Sequence, residues 1–505
     1  MFLEHIQAAL AIVFTFDTLF ALFAGVVIGT VIGAIPGMTV TMGVALTLPF
    51  TFSMHPAVGI LLLLGVYKGG VYGGSITAIL IKTPGTPAAS CTVLDGYPMT
   101  QNGEARKALG IALYASCFAD FISNISLILF AGILASFALR FGPPEYFTLI
   151  MFSLTIIAGI AGDNMAKGMV AAGLGLLLAT VGLDLIYGTE RMVFGEVELM
   201  AGLNFIPVLI GLFALPEIMN FYAKPLEARG VLQPLEGDPA TFADFRRCFK
   251  TIFRGSIIGV ILGAIPGIGG GPAAFLSYSE ARRTSKDPSR FGKGEMEGVA
   301  AAEAGNNGTC GATMIPLLAL GVPGDIVTAV ILGAFMIHGL QPGPLLFENN
   351  IELIYSLFIG IMVSSVFLFI VGKSAIRVFS LIVQLPNRLM FPIVLVLCIY
   401  GAYAVNNNLF DIVVMMIIGL LGFAMLRSNI PSAPFLIAFV LGPLLEDNFR
   451  QSLLLSEGSV SIFVRTEICI IFWVLTALVL FLLARRRQFA AKLIVDPEAG
   501  PVMRP

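Results

Sequence analysis

Two copies of one pentapeptide, Gly33-Ala34-Ile35-Pro36-Gly37 and Gly263-Ala264-Ile265-Pro266-Gly267, close two apolar segments. The segments, residues 25–37 and 255–267, agree at 8 of 13 positions. A proline removes one N–H and crowds the carbonyl four residues back, so a helix must stop or kink there. Two further breaks follow, Thr83-Pro84-Gly85-Thr86-Pro87 and Gly321-Val322-Pro323-Gly324-Asp325. They are related by a weaker echo in which Gly69, Ile76, Pro84 and Gly85 recur as Gly308, Ile315, Pro323 and Gly324. In hydrocarbon an unsatisfied backbone group is costly, so a broken helix persists only inside protein or beside a watery cavity. Matched breaks in matched halves point to a transport site at the repeat interface. The N–H groups freed at the next half-helix attract anions through the helix dipole.

The residues around the breaks fit that chemistry. The expected substrate contacts are the backbone at Pro36, Gly37, Gly85, Gly267 and Gly324, the hydroxyls of Thr39, Thr41, Thr86, Ser90 and Thr309, and the amides of Asn306 and Asn307. Lys68 lies inside an apolar run and reads either as a cationic substrate contact or as a snorkelling side chain. Unwound carbonyls and carboxylates suit a small hard cation such as Na⁺. Asp325 is one expected ion-coupling residue, and Asp120 with Asn124, four apart on one helix face, is another. The latter two read more readily as a buried hydrogen-bonded pair. Few cations occur in the apolar runs, so a carboxylate anion is expected to be held by neutral donors with co-transported Na⁺ or H⁺ adding charge.

The elements that must carry these residues are membrane helices. Charged residues make up 12% of the 505, about half the usual share, and mean hydropathy is +0.93. That excludes a soluble chain, which needs charge to cover its surface, and a disordered one, which needs fewer apolar residues. A net charge of −2 gives no basic excess for nucleic acid. The six Cys are scattered, with no pairing or zinc-ligand spacing. No phosphate-binding loop and no zinc-hydrolase or serine-hydrolase motif occurs, and Gly267-Ile268-Gly269-Gly270-Gly271-Pro272 lacks the last glycine of a dinucleotide fingerprint. No cofactor, no tightly bound metal and no enzymatic activity are therefore expected.

The apolar runs give an all-α polytopic membrane protein of ten to twelve transmembrane helices, with two internal repeats, expected to be inverted, and discontinuous or re-entrant helices. Residues 1–221 form the first membrane repeat and 255–484 the second. Residues 222–254 form a basic linker and 485–505 a basic tail, both expected on the cytoplasmic side. Residues 1–16 read as a surface helix that is retained rather than cleaved. A third echo is architectural, with polar breaks at 162–164 and 406–408 each between two helices. Glycine at every fourth position, Gly25, Gly29, Gly33 and then Gly255, Gly259, Gly263, predicts close helix packing along a smooth seam.

Several long blocks resemble the large membrane subunit of the tripartite tricarboxylate transporters, the TctA family. They are residues 33–37 with Pro49 downstream, 72–110, 263–278, 303–325 and 431–453. The likeness spans nearly the whole chain, although Lys82 before Thr83-Pro84-Gly85 departs from the family pattern and is expected to bear on substrate choice. The resemblance implies a secondary transporter of the bacterial inner membrane whose subunit forms the translocation path. It implies a periplasmic solute-binding protein and a small membrane subunit as partners, a Na⁺ or proton gradient as drive, and tricarboxylates or related carboxylates as substrate. An anion channel would share breaks and repeats and is the alternative reading. A membrane enzyme would need a titratable or metal cluster that the sequence does not offer.

Overall fold

Hydrocarbon leaves a backbone no partner but itself, and the chain answers with helices throughout. The computed structural model describes residues 2–160, 164–184, 186–223, 235–382 and 387–495. The first half runs through α1 (Phe2–Val13), α2 (Phe16–Gly33), α3 (Val40–Thr47), α4 (Pro56–Ile81), α5 (Ala89–Gln101) and α6 (Ala105–Ala138). It continues with α7 (Pro143–Ile160), α8 (Met165–Ala179) and α9 (Phe205–Ala223). The second half holds α10 (Phe242–Gly263), α11 (Gly270–Thr284), α12 (Met296–Asn307), α13 (Met314–Leu320), α14 (Ile326–Ile337) and α15 (Pro344–Asn349). It ends with α16 (Ile351–Ile382), α17 (Asn387–Asn406), α18 (Leu409–Arg427), α19 (Ser432–Leu455) and α20 (Glu467–Val495). Among the described residues the strands are one short antiparallel ribbon, Gly182–Leu183 against Glu190–Arg191.

The protein is an all-α polytopic membrane protein. Among the described residues six helices, α2, α4, α6, α9, α16 and α18, are long and apolar enough to cross a membrane. Ten to twelve were expected from the apolar runs, some of which the breaks divide into shorter helices. The 12 residues of α14 rise only about 18 Å against a hydrocarbon core of about 30 Å. Outward faces such as Leu129, Phe130, Ile133 and Phe137 of α6 are exposed and apolar, as lipid contact requires. By contrast α4 is buried along nearly its whole length.

All four expected breaks occur. Helix α2 stops at Gly33 before α3, and α4 stops at Ile81, with Lys82 in the left-handed region at φ 59°, before α5. Helix α10 stops at Gly263 before α11, and α13 stops at Leu320 before α14. The glycine seams pack as their spacing predicts. A methyl group on Gly25, Gly29 or Gly33 would overlap the carbonyl oxygens of Leu62, Val66 or Gly70, so α2 lies directly on the α4 backbone. Gly259 and Gly263 bring α10 onto Gly308 and Thr309 at the end of α12. The third echo ends in matching caps. Asn164 accepts from the Ala166 N–H at 3.0 Å to start α8, and Asn408 accepts from the Phe410 N–H at 2.9 Å to start α18.

The halves interlock. Helix α4 packs on α16, α6 on α12 and α13, α8 on α19, and α9 on α18. The expected surface helix is α1, laid against α16. Of the basic linker, residues 224–234 lie outside the described residues, as do 496–505 of the tail and 162–163 of the first polar break.

Candidate functional site

The downstream half of every break begins at one cavity. Thr39, Val40 and Thr41 open α3, and Thr86, Pro87 and Ala88 lead into α5. Gly269, Gly270 and Gly271 open α11, and Asp325, Ile326 and Val327 open α14. All of these residues line a single cavity of about 440 Å³, a volume ordinary for a small-ligand site. The helix starts lie close together. A Cβ on Gly269 would sit 3.4 Å from that of Asp325, and one on Gly270 would sit 3.6 Å from that of Ala88.

Each helix start carries N–H groups without intrahelical acceptors and a partial positive charge. Three of the four are partly capped. Thr39 Oγ1 accepts from the Met42 N–H at 3.2 Å, Thr86 Oγ1 from the Ala89 N–H at 3.1 Å, and Asp325 Oδ1 from the Thr328 N–H at 2.7 Å. Helix α11 lacks a side-chain cap, because its cap residue is Gly269, held at φ +65°. Its first turn is the open donor end of the site.

Asn306 and Thr309 reach the same cavity from the end of α12. Asn306 is 3% exposed, and its Nδ2 has no hydrogen-bond partner among the described residues. An unpaired buried donor costs about 1–3 kcal/mol, so an acceptor brought by a ligand is its natural complement. Asp325 adds a carboxyl group. The Tyr67 hydroxyl donates to its Oδ2 at 2.7 Å, and it forms no ion pair among the described residues. Apolar walls come from Ile157, Phe213, Pro216 and Ile437, and Glu217 also lines the space.

The structure thus gathers seven of the expected site residues, Thr39, Thr41, Thr86, Gly267, Asn306, Thr309 and Asp325. The others stand elsewhere. Gly37 is in the first break with Phe391 as the nearest neighbour of a built Cβ, at 3.9 Å, and Pro36 precedes it. Gly85 is wedged between Gly33 and Gly74, and the Gly324 carbonyl accepts from the Gly267 N–H at 2.7 Å. These two contacts lock the breaks of each half together. Ser90 is in the first turn of α5, and Asn307 turns away from the cavity toward Ser116 at 2.8 Å. Lys82 is exposed, with its Nζ 5.8 Å from the Tyr97 ring centroid.

Lys68 neither lines the cavity nor snorkels to water. It is 1% exposed, and its Nζ lies 2.8 Å from Asp120 Oδ2. It also donates to the Ile361 carbonyl at 2.6 Å and to Ser364 and Ser365 at 2.9 and 3.0 Å. Asn124 Nδ2 donates to Asp120 Oδ2 at 3.3 Å, so the two residues form a buried hydrogen-bonded pair. Asp120 Oδ1 and Asn124 Oδ1 have no partner among the described residues. The ammonium group already supplies a cation at this place.

Sequence reasoning passed over Tyr67, Glu217 and Glu303. Each is a polar or ionisable residue inside an apolar run, the same signal that marked Lys68. A larger groove of about 740 Å³ between α6, α10 and α16 is walled by Phe118, Phe121, Phe245 and Phe369. It is almost wholly apolar and lacks convergent donors, so the smaller cavity is the candidate site.

Fold and cavity together define a multi-pass membrane protein whose interrupted helices converge on a polar chamber. The chain belongs to the tripartite tricarboxylate transporter TctA family, whose profile matches residues 19–437. It is therefore a subunit of a tripartite tricarboxylate transporter, a system with a binding protein and a small subunit. It is 38% identical over 446 residues to a protein described as the uncharacterized 52.8 kDa protein in the TAR-I ttuC' 3' region of Agrobacterium vitis, covering 88% of this chain and 89% of that one. An uncharacterized protein in the TAR-II ttuC' 3' region of Agrobacterium vitis is 37% identical over 210 residues, covering 42% of this chain and 87% of the relative. No solved structure matches the chain.

Proposed function

We propose that this subunit forms the translocation path for carboxylate anions, as a secondary active carrier of the bacterial inner membrane with its C-terminus in the cytoplasm. A periplasmic solute-binding protein delivers the substrate, and a Na⁺ or H⁺ gradient drives import. The observation that carries the reading is the meeting of four helix starts with the unpartnered Asn306 amide in one cavity. Oriented N–H groups, hydroxyls and an amide suit a carboxylate without any Lys or Arg. Asp325 is the position where a co-transported cation offsets substrate charge. Asp120 is less suited, since Lys68 already neutralises it. The broken helices support alternating access, one bundle moving against the other around the cavity.

The test is uptake by the chain reconstituted with its binding protein and small subunit, screening labelled carboxylates with and without Na⁺ and a pH gradient. Concentrative uptake that collapses with the gradient is expected. Strictly downhill flux would favour the channel reading.

A further inference from the structure

Glu303 lies on α12, one turn before Asn307, fully buried and outside the cavity. Its Oε1 accepts from the Thr92 hydroxyl of α5. Its Oε2 accepts from the Ser116 hydroxyl of α6 at 3.1 Å and from Asn307 Nδ2 at 3.3 Å. Among the described residues it forms no ion pair, and the other well-buried carboxylates differ in kind. Asp120 has Lys68, Glu295 has Arg247 at 3.0 Å and Arg290 at 2.9 Å, and Asp184 has Arg450 at 2.7 Å. Asp95 accepts on Oδ1 from the N–H groups of Gly292, Gly294 and Glu295 and on Oδ2 from the Tyr278 hydroxyl, Glu145 accepts from the N–H of Gly142, and Asp411 from the Asn406 amide. Ammonium, guanidinium, amide and backbone N–H groups can only donate, and each of those carboxylates has at least one such partner from the backbone or another side chain, whereas a hydroxyl faces each oxygen of Glu303.

Hydroxyls donate or accept. Thr92 and Ser116 can satisfy Glu303 as a carboxylate and, after rotating, as a carboxylic acid. A buried carboxylate without a cation also carries a desolvation cost that a proton removes. The titratable groups facing Glu303 are Tyr72 on α4 and Cys91 on α5, with Cys117 of α6 beside Tyr72 and Asp95 of α5 and Tyr278 of α11 beside Cys91. Lys68 of α4 pairs with Asp120 and Arg247 of α10 with Glu295, and no cation pairs with Glu303 among the described residues. The partners of Glu303 also connect to the cavity. Helix α12 ends in Asn306 and Thr309, and α5 begins behind Thr86.

We propose that Glu303 is a proton-binding site that loads and unloads as the carrier cycles. One O–H bond forms when the proton arrives from water on one side and breaks when it leaves to the other. The proton sits on one carboxyl oxygen, Oε1, so the Thr92 hydroxyl reverses its bond while Ser116 and Asn307 go on donating to Oε2, and this couples α5 and α12 to the occupancy of the cavity. This rests on the transport reading and makes the proton a driving cation.

The test is infrared difference spectroscopy of the full chain in liposomes, titrated from about pH 9 to about pH 5. The carbonyl band of a protonated buried carboxyl is expected to grow in the wild type, and Glu303→Gln is expected to lose the amplitude of one carboxyl. Ser116→Ala should displace the midpoint of that band, which a purely structural role would not do. Identical bands in wild type and Glu303→Gln overturn the proposal. In parallel, accumulation of labelled citrate under an imposed pH gradient should fall about tenfold in Glu303→Gln. If the band titrates but the wild type moves no carboxylate under any gradient, the transport reading fails and the proton site stands. If both proteins accumulate citrate alike and the band does not change, the proton site fails and the transport reading stands.

Discussion

The two Gly-Ala-Ile-Pro-Gly breaks share a backbone and differ in their surroundings. In both, the helix ends at the first glycine, and the last glycine, Gly37 or Gly267, sits at φ +85°. At the first break Thr39 caps α3, while Gly37 is loosely surrounded and does not line the cavity. At the second, Gly269 leaves α11 uncapped, and Gly267 is in the cavity wall against Ile157, its N–H bonded to the Gly324 carbonyl. The seams differ as well. The first meets backbone carbonyls at three successive glycines, whereas in the second a Cβ on Gly259 meets the Gly305 carbonyl but one on Gly255 would sit 2.5 Å from the Ser277 hydroxyl and 2.9 Å from Ala304 Cβ. One local sequence thus yields one local conformation, while the neighbours decide that the first copy is chiefly a packing joint and the second presents donors.

The largest effect expected from that contrast concerns the seams. Gly29→Ala drives a methyl into the Val66 carbonyl, which belongs to a buried helix that cannot yield, and should destabilise by about 3 kcal/mol or more. Gly255→Ala meets the Ser277 side chain, which can turn away, and Ala304 Cβ, which cannot, and should cost about 2 kcal/mol. Thermal unfolding midpoints in detergent, with the yield of monodisperse protein, compare the two, and equal losses would erase the distinction.

Next come the terminal glycines. Any side chain at φ +85° is strained by about 1–2 kcal/mol, so both positions pay that cost. Only Gly267→Ala adds a clash with Ile157 inside the cavity wall. Carboxylate uptake should drop about tenfold or more for Gly267→Ala and no more than about threefold for Gly37→Ala. The reverse order in uptake assays would move the site to the first break.

A smaller difference separates donors from caps. Asn306→Leu removes a donor to an anion, a bond of about 1.5–3 kcal/mol, and should raise the half-saturating substrate concentration by about tenfold to a hundredfold. Thr39→Ala removes a helix cap and should cost about 1 kcal/mol of stability, with a lesser change in affinity. Binding isotherms on purified protein, paired with unfolding curves, separate the two. Unchanged affinity in Asn306→Leu would remove the amide from the site.

The smallest effect lies at two exposed helix starts. Helix α10 begins with a capping box in which Asp244 accepts from the Thr241 N–H at 2.8 Å, while α2 begins with Thr15, which does not titrate. Acceptance of that N–H holds the Asp244 carboxyl below its usual range. The folded value is lower than the unfolded one, so this stabilisation is present above the ordinary carboxylate pKa and is lost as pH falls through the folded value. Asp244→Asn should lower the unfolding midpoint near neutral pH and converge with wild type in acid. A constant gap across that range would contradict the assignment.

How much of this was legible depended on whether the cause was local. Proline chemistry and left-handed glycines act within a few residues, so all four breaks could be placed from sequence. Small residues four apart need only a neighbouring helix, so the seams were legible too. Lys68 shows where such reading stops, because its partner Asp120 is 52 positions away and no local rule brings the two together. Glu303 was invisible for a related reason, since its meaning lies in hydroxyl partners that come from α5 and α6, far away in the chain.

The sequence by itself determined that this chain lives in a membrane, where its helices must break and which surfaces must pack closely. Those follow from hydropathy, from the missing N–H of proline and from the missing Cβ of glycine, all of which act along the chain. The tertiary structure alone decided that the four half-helix starts meet, that Asn306 reaches them unpaired while Asn307 turns to Glu303, and that Lys68 is spent on Asp120. Those depend on which helix lies beside which, and hydrogen bonds and charges reach only a few ångströms, so nothing in the linear order fixes them.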